Sequence, residues 1–405
     1  MRINRSGQLK YLHLMGLSAF MGLVATSVSA ITDITFFATS DIHYGQDNAA
    51  NNAGRALTVT QLNTLAGMNY PPSVGGGKIA EPRGVVIPGD LTDYPDKTLW
   101  ARFTTDYNPL PGKAKMKYGA YDGMGNHELI NYYTNPVTYP TLAKEQFIQR
   151  NLLRKGMVNF DSANYHYSWD WDQVHFLELN LFGGNTNSPG TLKSYRAYEF
   201  AKADLEKNVG TSGRPVFVME HYPMDTDNWT VTDKTLLVTL LKKYNCIGIL
   251  HGHSHSKHFY TFQGLDVFDD GTSMKTDILV FHITEGRMAV VNREGTAWGT
   301  LVLEKSITMG KSTTAARPQL NGSVEKMDDF KFDVVGVGRI WAGNRRATSV
   351  EIRSATGQLL RHMQVSGSNM TWNRQDDVGR EVPPGIYLAR IATDAGVVNA
   401  KVALP

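Results

Sequence analysis

The sequence predicts an α/β layered domain followed by a small all-β domain, and three observations carry that reading. From Ile31 to about Leu303, short apolar runs alternate with helical stretches. After residue 322 the pattern becomes period-two alternation in short runs separated by turns. At 405 residues the chain also exceeds what one core of ordinary size holds, so two domains are expected.

The first thirty residues stand apart. Arg2, Arg5 and Lys10 make a basic start, Leu12 to Val24 is mostly apolar, and Val28-Ser29-Ala30 offers small residues for cleavage after Ala30. The reading is a signal peptide over 1–30 and a secreted, periplasmic or cell-surface protein. An uncleaved anchor is the alternative, but the apolar stretch is shorter than the roughly 20 residues a transmembrane span needs.

In the region 31–310, Ile34 to Ala38, Val85 to Ile87, Val174 to Leu179, Val216 to Met219 and Ile247 to Leu250 read as short strands. Several are near-continuous apolar runs, as strands covered on both faces require. Arg55 to Leu65, Ala143 to Leu153 and Ala197 to Lys207 have helical spacing, and Gly210 with Gly213-Arg214-Pro215 stops the last of these. Residues 311–322 are polar and read as a linker. Within 323–405, Ser349 to Arg353, Leu359 to Val365, Gly385 to Ile391 and Val397 to Leu404 alternate as strands, with turns at Thr356-Gly357 and Asp376 to Gly379. That spacing suggests a β-sandwich. Trp372 to Gly379 followed by Val382-Pro383-Pro384-Gly385-Ile386-Tyr387 resembles the immunoglobulin-like module of flagellar hook-cap proteins and secreted hydrolase tails. The resemblance implies attachment, sorting or cell-surface contact.

Charge narrows the partners. The formal net charge is +3, from 41 basic and 38 acidic residues, and the three basic residues of the leader account for it. No general nucleic-acid or anionic-membrane partner follows from such a balance. Cys246 is the single cysteine, so an internal disulfide is excluded, and its apolar surroundings point to a buried structural role.

Five short motifs occur in order: Asp41-Ile42-His43, Gly89-Asp90-Leu91-Thr92-Asp93, Gly125-Asn126-His127-Glu128, Val218-Met219-Glu220-His221 and Gly252-His253-Ser254-His255. Four of them follow a short apolar run, which places their polar members at the ends of strands, where open α/β sheets hold ligands. Asp41 and His43 are two residues apart and can reach one cation. The Asp90 carboxylate has two oxygens and can bridge two. Asn126 offers a neutral oxygen, while His221, His253 and His255 are imidazoles suited to Zn, Fe, Ni or Mn rather than Mg or Ca. Any one of these histidines alone is more simply a packed side chain; the ordered set reads as a two-metal hydrolytic site.

Carried by these residues, the stretch from about 31 to 303 resembles the calcineurin-like metallophosphoesterases, whose pattern is D-x-H, G-D-x-x-D, G-N-H-[DE], a lone histidine and G-H-x-H. Every position is filled. The resemblance implies a four-layer fold of two mixed β-sheets flanked by helices, and two divalent or trivalent ions (Mn, Fe or Zn). Asp41, His43 and His255 would hold one ion, Asn126, His221 and His253 the other, with Asp90 between them and a bridging hydroxide as nucleophile. It further implies His127 as the general acid for the leaving oxygen and Asp93 as its orienting partner. The substrate class is a small-molecule phosphate ester, diester ahead of monoester. Alternatives are a broad phosphatase, a hydrolase of a non-phosphate bond, or a binding protein on a phosphoesterase scaffold.

Departures from the pattern narrow the branch. Tyr94-Pro95 stands where protein phosphatases have Arg-Gly, and His43 and Asp93 stand where purple acid phosphatases have glycine and tyrosine. Glu220 replaces a common second histidine, and an acid there would tune metal charge or disfavour a dianionic monoester. Glu128 reads as a favourable carboxylate at a helix start. His251 is expected to face into its sheet, and His166, His175, His282 and His362 are expected to be structural or exposed. The loop Tyr44 to Asn52 is either a substrate wall or a plain surface loop. The insert Pro71 to Gly84 reads as an unstructured connection, and the aromatics of Tyr165 to Trp171 as strand packing.

Overall fold

The computed structural model describes residues 32–310 except 130–138, 155 and 186–192, and residues 331–404 except 335–337, 342–346, 355–357, 366–368 and 394–395. The expected leader, the linker 311–322 and the Thr356-Gly357 turn lie outside the described residues.

In chain order the first region contains β1 (Asp33–Ala38), α1 (Ala49–Thr64), β2 (Val85–Ile87), α2 (Lys97–Asp106), β3 (Ala120–Asp122), α3 (Asn126–Leu129), α4 (Tyr139–Leu153), β4 (Met157–Phe160), β5 (Tyr167–Trp171), β6 (Val174–Glu178), α5 (Ala197–Asn208), β7 (Pro215–Met219), α6 (Val231–Leu241), β8 (Asn245–His251), β9 (Lys257–Phe262), β10 (Leu265–Asp270), β11 (Asp277–Thr284), β12 (Arg287–Glu294) and β13 (Ala297–Ser306). They form two sheets, ordered β13-β12-β11-β1-β2-β3 and β4-β5-β6-β7-β8-β10-β9. Both are mixed: β1, β2 and β3 run parallel, as do β6, β7, β8 and β10, with antiparallel strands at the flanks.

Alternation along β1 shows how the layers arise. Ile34, Phe36 and Ala38 point into a core shared with Phe176, Phe217, Phe268 and Phe281 of both sheets. Phe37 points the other way, into a core that includes Val59 and Leu62 of α1 and Phe103 of α2. Across the sheet interface Phe36 meets Phe217 edge-on at 5.5 Å. The Tyr167–Trp171 aromatics are strand residues packed in this inner core.

Two local expectations are corrected. Helix α1 begins at Ala49, because the Asn48 side chain accepts from the Asn51 amide and caps it. The polar loop after the first motif therefore ends at 48, and its Asp47 is gripped by Arg55 and Arg102. The insert at 71–84 is ordered, with a single 3-10 turn at Pro72–Val74 whose Val74 carbonyl accepts from Arg287.

The second region contains β14 (Lys331–Val334), β15 (Gly338–Trp341), β16 (Ala347–Ser354), β17 (Leu359–Gln364), β18 (Asn369–Trp372), β19 (Gly385–Thr393) and β20 (Gly396–Leu404), in sheets ordered β15-β14-β18 and β17-β16-β19-β20. Val334 and Trp372 of the first sheet and Val350, Ile352, Ala389, Ile391 and Val402 of the second share one core.

His175 lies buried between Asp170 and Asp204, 2.7 and 2.6 Å from their carboxylates. Burial opposes its charge, but the two carboxylates outweigh burial and raise its pKa above the ordinary value. A raised folded pKa contributes stability below the unfolded value of about 6.5, and that stability is lost as pH rises through the folded value. Unfolding midpoints measured from pH 6 to 9 should therefore show the advantage of the parent over His175→Gln shrinking as pH rises. A constant difference would contradict this.

Candidate metal centre

The seven expected ligands come together where the parallel strands of the two sheets end. Asp41 and His43 follow β1, Asp90 follows β2, Asn126 follows β3, His221 follows β7, and His253 and His255 follow β8. The turns that aim them are strained. Asp41, His43, Asp90, His253 and His255 have left-handed backbones, with φ of 49°, 47°, 51°, 73° and 54°. Each such residue costs about 1–3 kcal/mol, and such strain concentrates at functional sites. Two motif glycines make the approach possible. A Cβ at Gly125 would stand 2.1 Å from Asp90 Oδ1, and one at Gly252 2.4 Å from Asp41 Oδ2.

The ligand atoms gather in two groups, Asp41–His43–Asp90–His255 and Asp90–His221–His253. In the first, His43 Nε2 lies 3.6 Å from Asp41 Oδ1, 3.5 Å from Asp90 Oδ2 and 3.0 Å from His255 Nε2. His255 Nε2 is 3.1 Å from Asp41 Oδ1. In the second, His221 Nε2 is 3.2 Å from Asp90 Oδ2 and 3.0 Å from Asn126 Oδ1. Asp90 Oδ2 thus faces both groups, while its Oδ1 accepts from the His127 amide at 2.9 Å.

These groups fit cations. His221 donates its Nδ1 proton to the Pro88 carbonyl at 3.0 Å, so its Nε2 presents a lone pair to two oxygens that are themselves acceptors. Asp41 Oδ1 is fully buried and receives no hydrogen bond of good geometry, whereas Oδ2 accepts from the His253 amide at 2.9 Å. Without cations, protons carry the positive charge. Burial opposes ionisation of Asp41, yet the His255 and His43 imidazoles hold it well below the usual carboxylate range. Burial likewise opposes charge on His221, but Asp90 pushes it up to about 9. His253, half-buried and facing other imidazoles, is pushed down to about 4 by desolvation and the neighbouring His221.

His127 stands beside this cluster. Its Nδ1 donates to the Asp93 carbonyl oxygen at 2.7 Å and lies 3.3 Å from the Asp93 carboxylate, which leaves Nε2 facing Asp90 Oδ2 at 3.9 Å. Asp93 thus holds the ring through its main-chain oxygen as well as its carboxylate, a detail that residue identity does not reveal. His43, Asp93 and His127 also form a third group of potential ligand atoms. The proton that His127 Nδ1 donates leaves it no lone pair there, so hydrogen bonding accounts for this group.

Several functional side chains were not anticipated. Glu128 is buried, and its carboxylate accepts four main-chain N–H bonds: from Asp90 and Gly125 at Oε2 (3.0 and 2.8 Å), and from Leu91 and Thr92 at Oε1 (2.9 and 3.1 Å). It therefore ties the second motif to the third instead of merely opening a helix. Burial and the Asp90 charge push Glu128 up to about 7. All four partners are donors, so the ionised form is the one that fits. Glu128→Ala strands four buried donors at about 1–3 kcal/mol each. The unfolding free energy should fall by on the order of 4 kcal/mol, with loss of activity; a parent-like denaturation midpoint would refute the clamp. Gln46 Nε2 donates to Asp93 at 2.9 Å, and Asn180 Oδ1 accepts from the Met124 amide at 3.0 Å.

Glu220 is corrected. Its carboxylate accepts from the Gly183 amide at 2.9 Å and joins neither ligand group. Burial pushes its carboxyl up to about 8. His251 is buried, donates to the Gly252 carbonyl and pairs with the Tyr260 hydroxyl, and burial pushes it down to about 4. Cys246, expected to be buried, is half-buried against the core, and desolvation pushes its thiol up to about 12.

Among solved structures, the chain is similar to a dimetal phosphatase from Danio rerio (11% identity over 68% of this chain and 99% of that one, TM-score 0.43). It is similar to GAP50, the anchor in the inner membrane complex of Plasmodium (12% identity, 69% and 90%, TM-score 0.45). A third is a putative 5'-nucleotidase from Staphylococcus aureus (15% identity, 76% and 61%, TM-score 0.37). No curated protein matches the chain. Residues 34–257, more than half of the sequence, match the family described as calcineurin-like phosphoesterase. The chain therefore belongs to the calcineurin-like phosphoesterases and is a metal-dependent hydrolase of phosphoric esters.

Proposed function

We propose that the protein is an exported dinuclear phosphoesterase in which Asp41, His43 and His255 would hold one ion and Asn126, His221 and His253 the other, with Asp90 shared between them. The observation that carries this is the single Asp90 oxygen facing both ligand groups, at 3.5 Å from His43 and 3.2 Å from His221. When bound, the two ions supply the positive charge that activates the attacking water and neutralises the phosphoryl oxygens.

The protein's own part is to fix ligands and deliver a proton. His127 is the general acid: Nδ1–H is spent on Asp93, so Nε2–H is the proton available to a leaving oxygen. Burial opposes its charge, but Asp90 and Asp93 outweigh this and push it up to about 10. Asp93 holds the ring, and Glu128 holds the loops that carry Asp90 and Asn126.

A phosphodiester or phosphomonoester of a small alcohol is the substrate class, with diesters favoured. A diester has one negative charge, and Tyr94-Pro95 follows Asp93 where an arginine would assist a dianion. The Glu220 reason for that preference no longer applies. Export rests on the composition of residues 1–30. The two C-terminal sheets are read as an immunoglobulin-like sandwich that serves attachment or spacing. Chelator-stripped protein reloaded with Mn, Zn or Fe should cleave bis(p-nitrophenyl) phosphate faster than p-nitrophenyl phosphate. The reverse order would make it a phosphatase first, and cleavage of neither would end the reading.

A further inference from the structure

We propose that Ser40 and Asp270 are positioning residues for Asp41, holding its non-ligating oxygen so that Oδ1 is presented to the cation. This rests on the reading of Asp41 as a ligand.

Three consecutive residues at the end of β1 are braced by the corner between β10 and β11. Thr39 Oγ1 donates to the Asp277 carbonyl at 2.9 Å, the Ser40 carbonyl accepts from the Ser273 amide at 2.9 Å, and the Asp41 carbonyl accepts from Thr272 Oγ1 at 2.8 Å. Within this brace the Ser40 hydroxyl lies in hydrogen-bond contact with both Asp41 Oδ2 and Asp270 Oδ1. The contact joins the two sheets, since β1 belongs to one and β10 to the other. All three residues are fully buried.

Counting hydrogens assigns the direction. A serine hydroxyl has one proton and cannot donate to two carboxylates at once. Donation to Asp41 Oδ2, beside the His253 amide, leaves Ser40 Oγ as an acceptor toward Asp270. Asp270 then donates as a neutral carboxyl, and its second oxygen is buried with no partner, a situation a neutral acid tolerates better than a carboxylate. With both lone-pair directions of Oδ2 occupied, Asp41 cannot rotate, and Oδ1 stays on the His43–His255 side. Partners of this kind, standing behind a metal ligand, are typically worth about 10–100-fold in metal affinity.

The test uses the full chain, stripped with chelator and titrated with Mn²⁺ alone, alongside the unfolding midpoint of the metal-free protein. Ser40→Ala and Asp270→Ala should lower Mn²⁺ affinity about 10–100-fold. Asp270→Asn, whose amide still donates, should stay close to the parent, and the metal-free midpoints of Ser40→Ala and Asp270→Asn should differ little from it. If Asp270→Ala does not fold, Ser40→Ala decides. Parent-like Mn²⁺ affinity in Ser40→Ala, while Asp41→Asn has lost its metal, overturns the inference and leaves the function intact. Unchanged affinity in Asp41→Asn overturns the ligand reading and the inference with it.

Discussion

His127→Ala is expected to keep its full metal content and to lose activity by about 10²–10⁴ on esters with poor leaving groups. The geometry supplies both halves of the expectation. Nε2 of the ring lies 3.9 Å from Asp90 Oδ2 and the ring stands edge-on to His43 at 4.5 Å, while its Nδ1 donates to the Asp93 carbonyl. Removing it takes no ligand from either group, and the Asp90 Oδ1 contact is made by the main-chain amide, which alanine retains. What disappears is the proton source. A p-nitrophenolate leaves without protonation, so p-nitrophenyl esters should lose far less than alkyl esters. Rates on a series of leaving groups, with metal analysis of the same preparations, check this. An equal loss across the series, or loss of metal, would show that His127 acts on the metals instead.

Asp90→Asn should be the most damaging single change. Asp90 Oδ2 is the one oxygen facing both His43 and His221, so the substitution removes a negative charge from both groups while nearly preserving shape. Cation binding should fall below two per chain. The ions are asked for several kcal/mol of transition-state stabilisation, and at about 1.4 kcal/mol per decade activity should drop on the order of 10³-fold or more. The metal-free protein should be less harmed: without cations Asp90 is held ionised against burial by the His221 and His127 imidazoles, and an amide keeps its size. Metal content and rate of the purified variant decide it. Two ions with near-parent activity would remove Asp90 from its bridging role.

The α/β fold and the gathering of the motif residues were legible because most of the motifs follow a strand whose apolar run is visible in the sequence. Val85 to Ile87 announces Asp90, and Ile247 to Leu250 announces His253. The contacts that hold those ligands were less visible, for physical reasons. Glu128 reaches Leu91 and Thr92 across 37 and 36 residues of chain, and its partners are main-chain amides, which every residue has. Asp270 meets Ser40 across 230 residues, between strands of different sheets. Glu220 misled because its motif position suggested the metal side, whereas the β7 turn directs its carboxylate to Gly183. The polar run after His43 misled because Asn51 and Asn52, poor helix formers alone, follow a cap at Asn48 that starts the helix early.

The most direct test of the dinuclear site is metal stoichiometry against activity. Chelator-stripped protein, titrated with Mn²⁺ and assayed on bis(p-nitrophenyl) phosphate, should recover activity only as the second equivalent binds, with two ions per chain at saturation. Full activity in excess chelator, or saturation at one equivalent, would contradict the account.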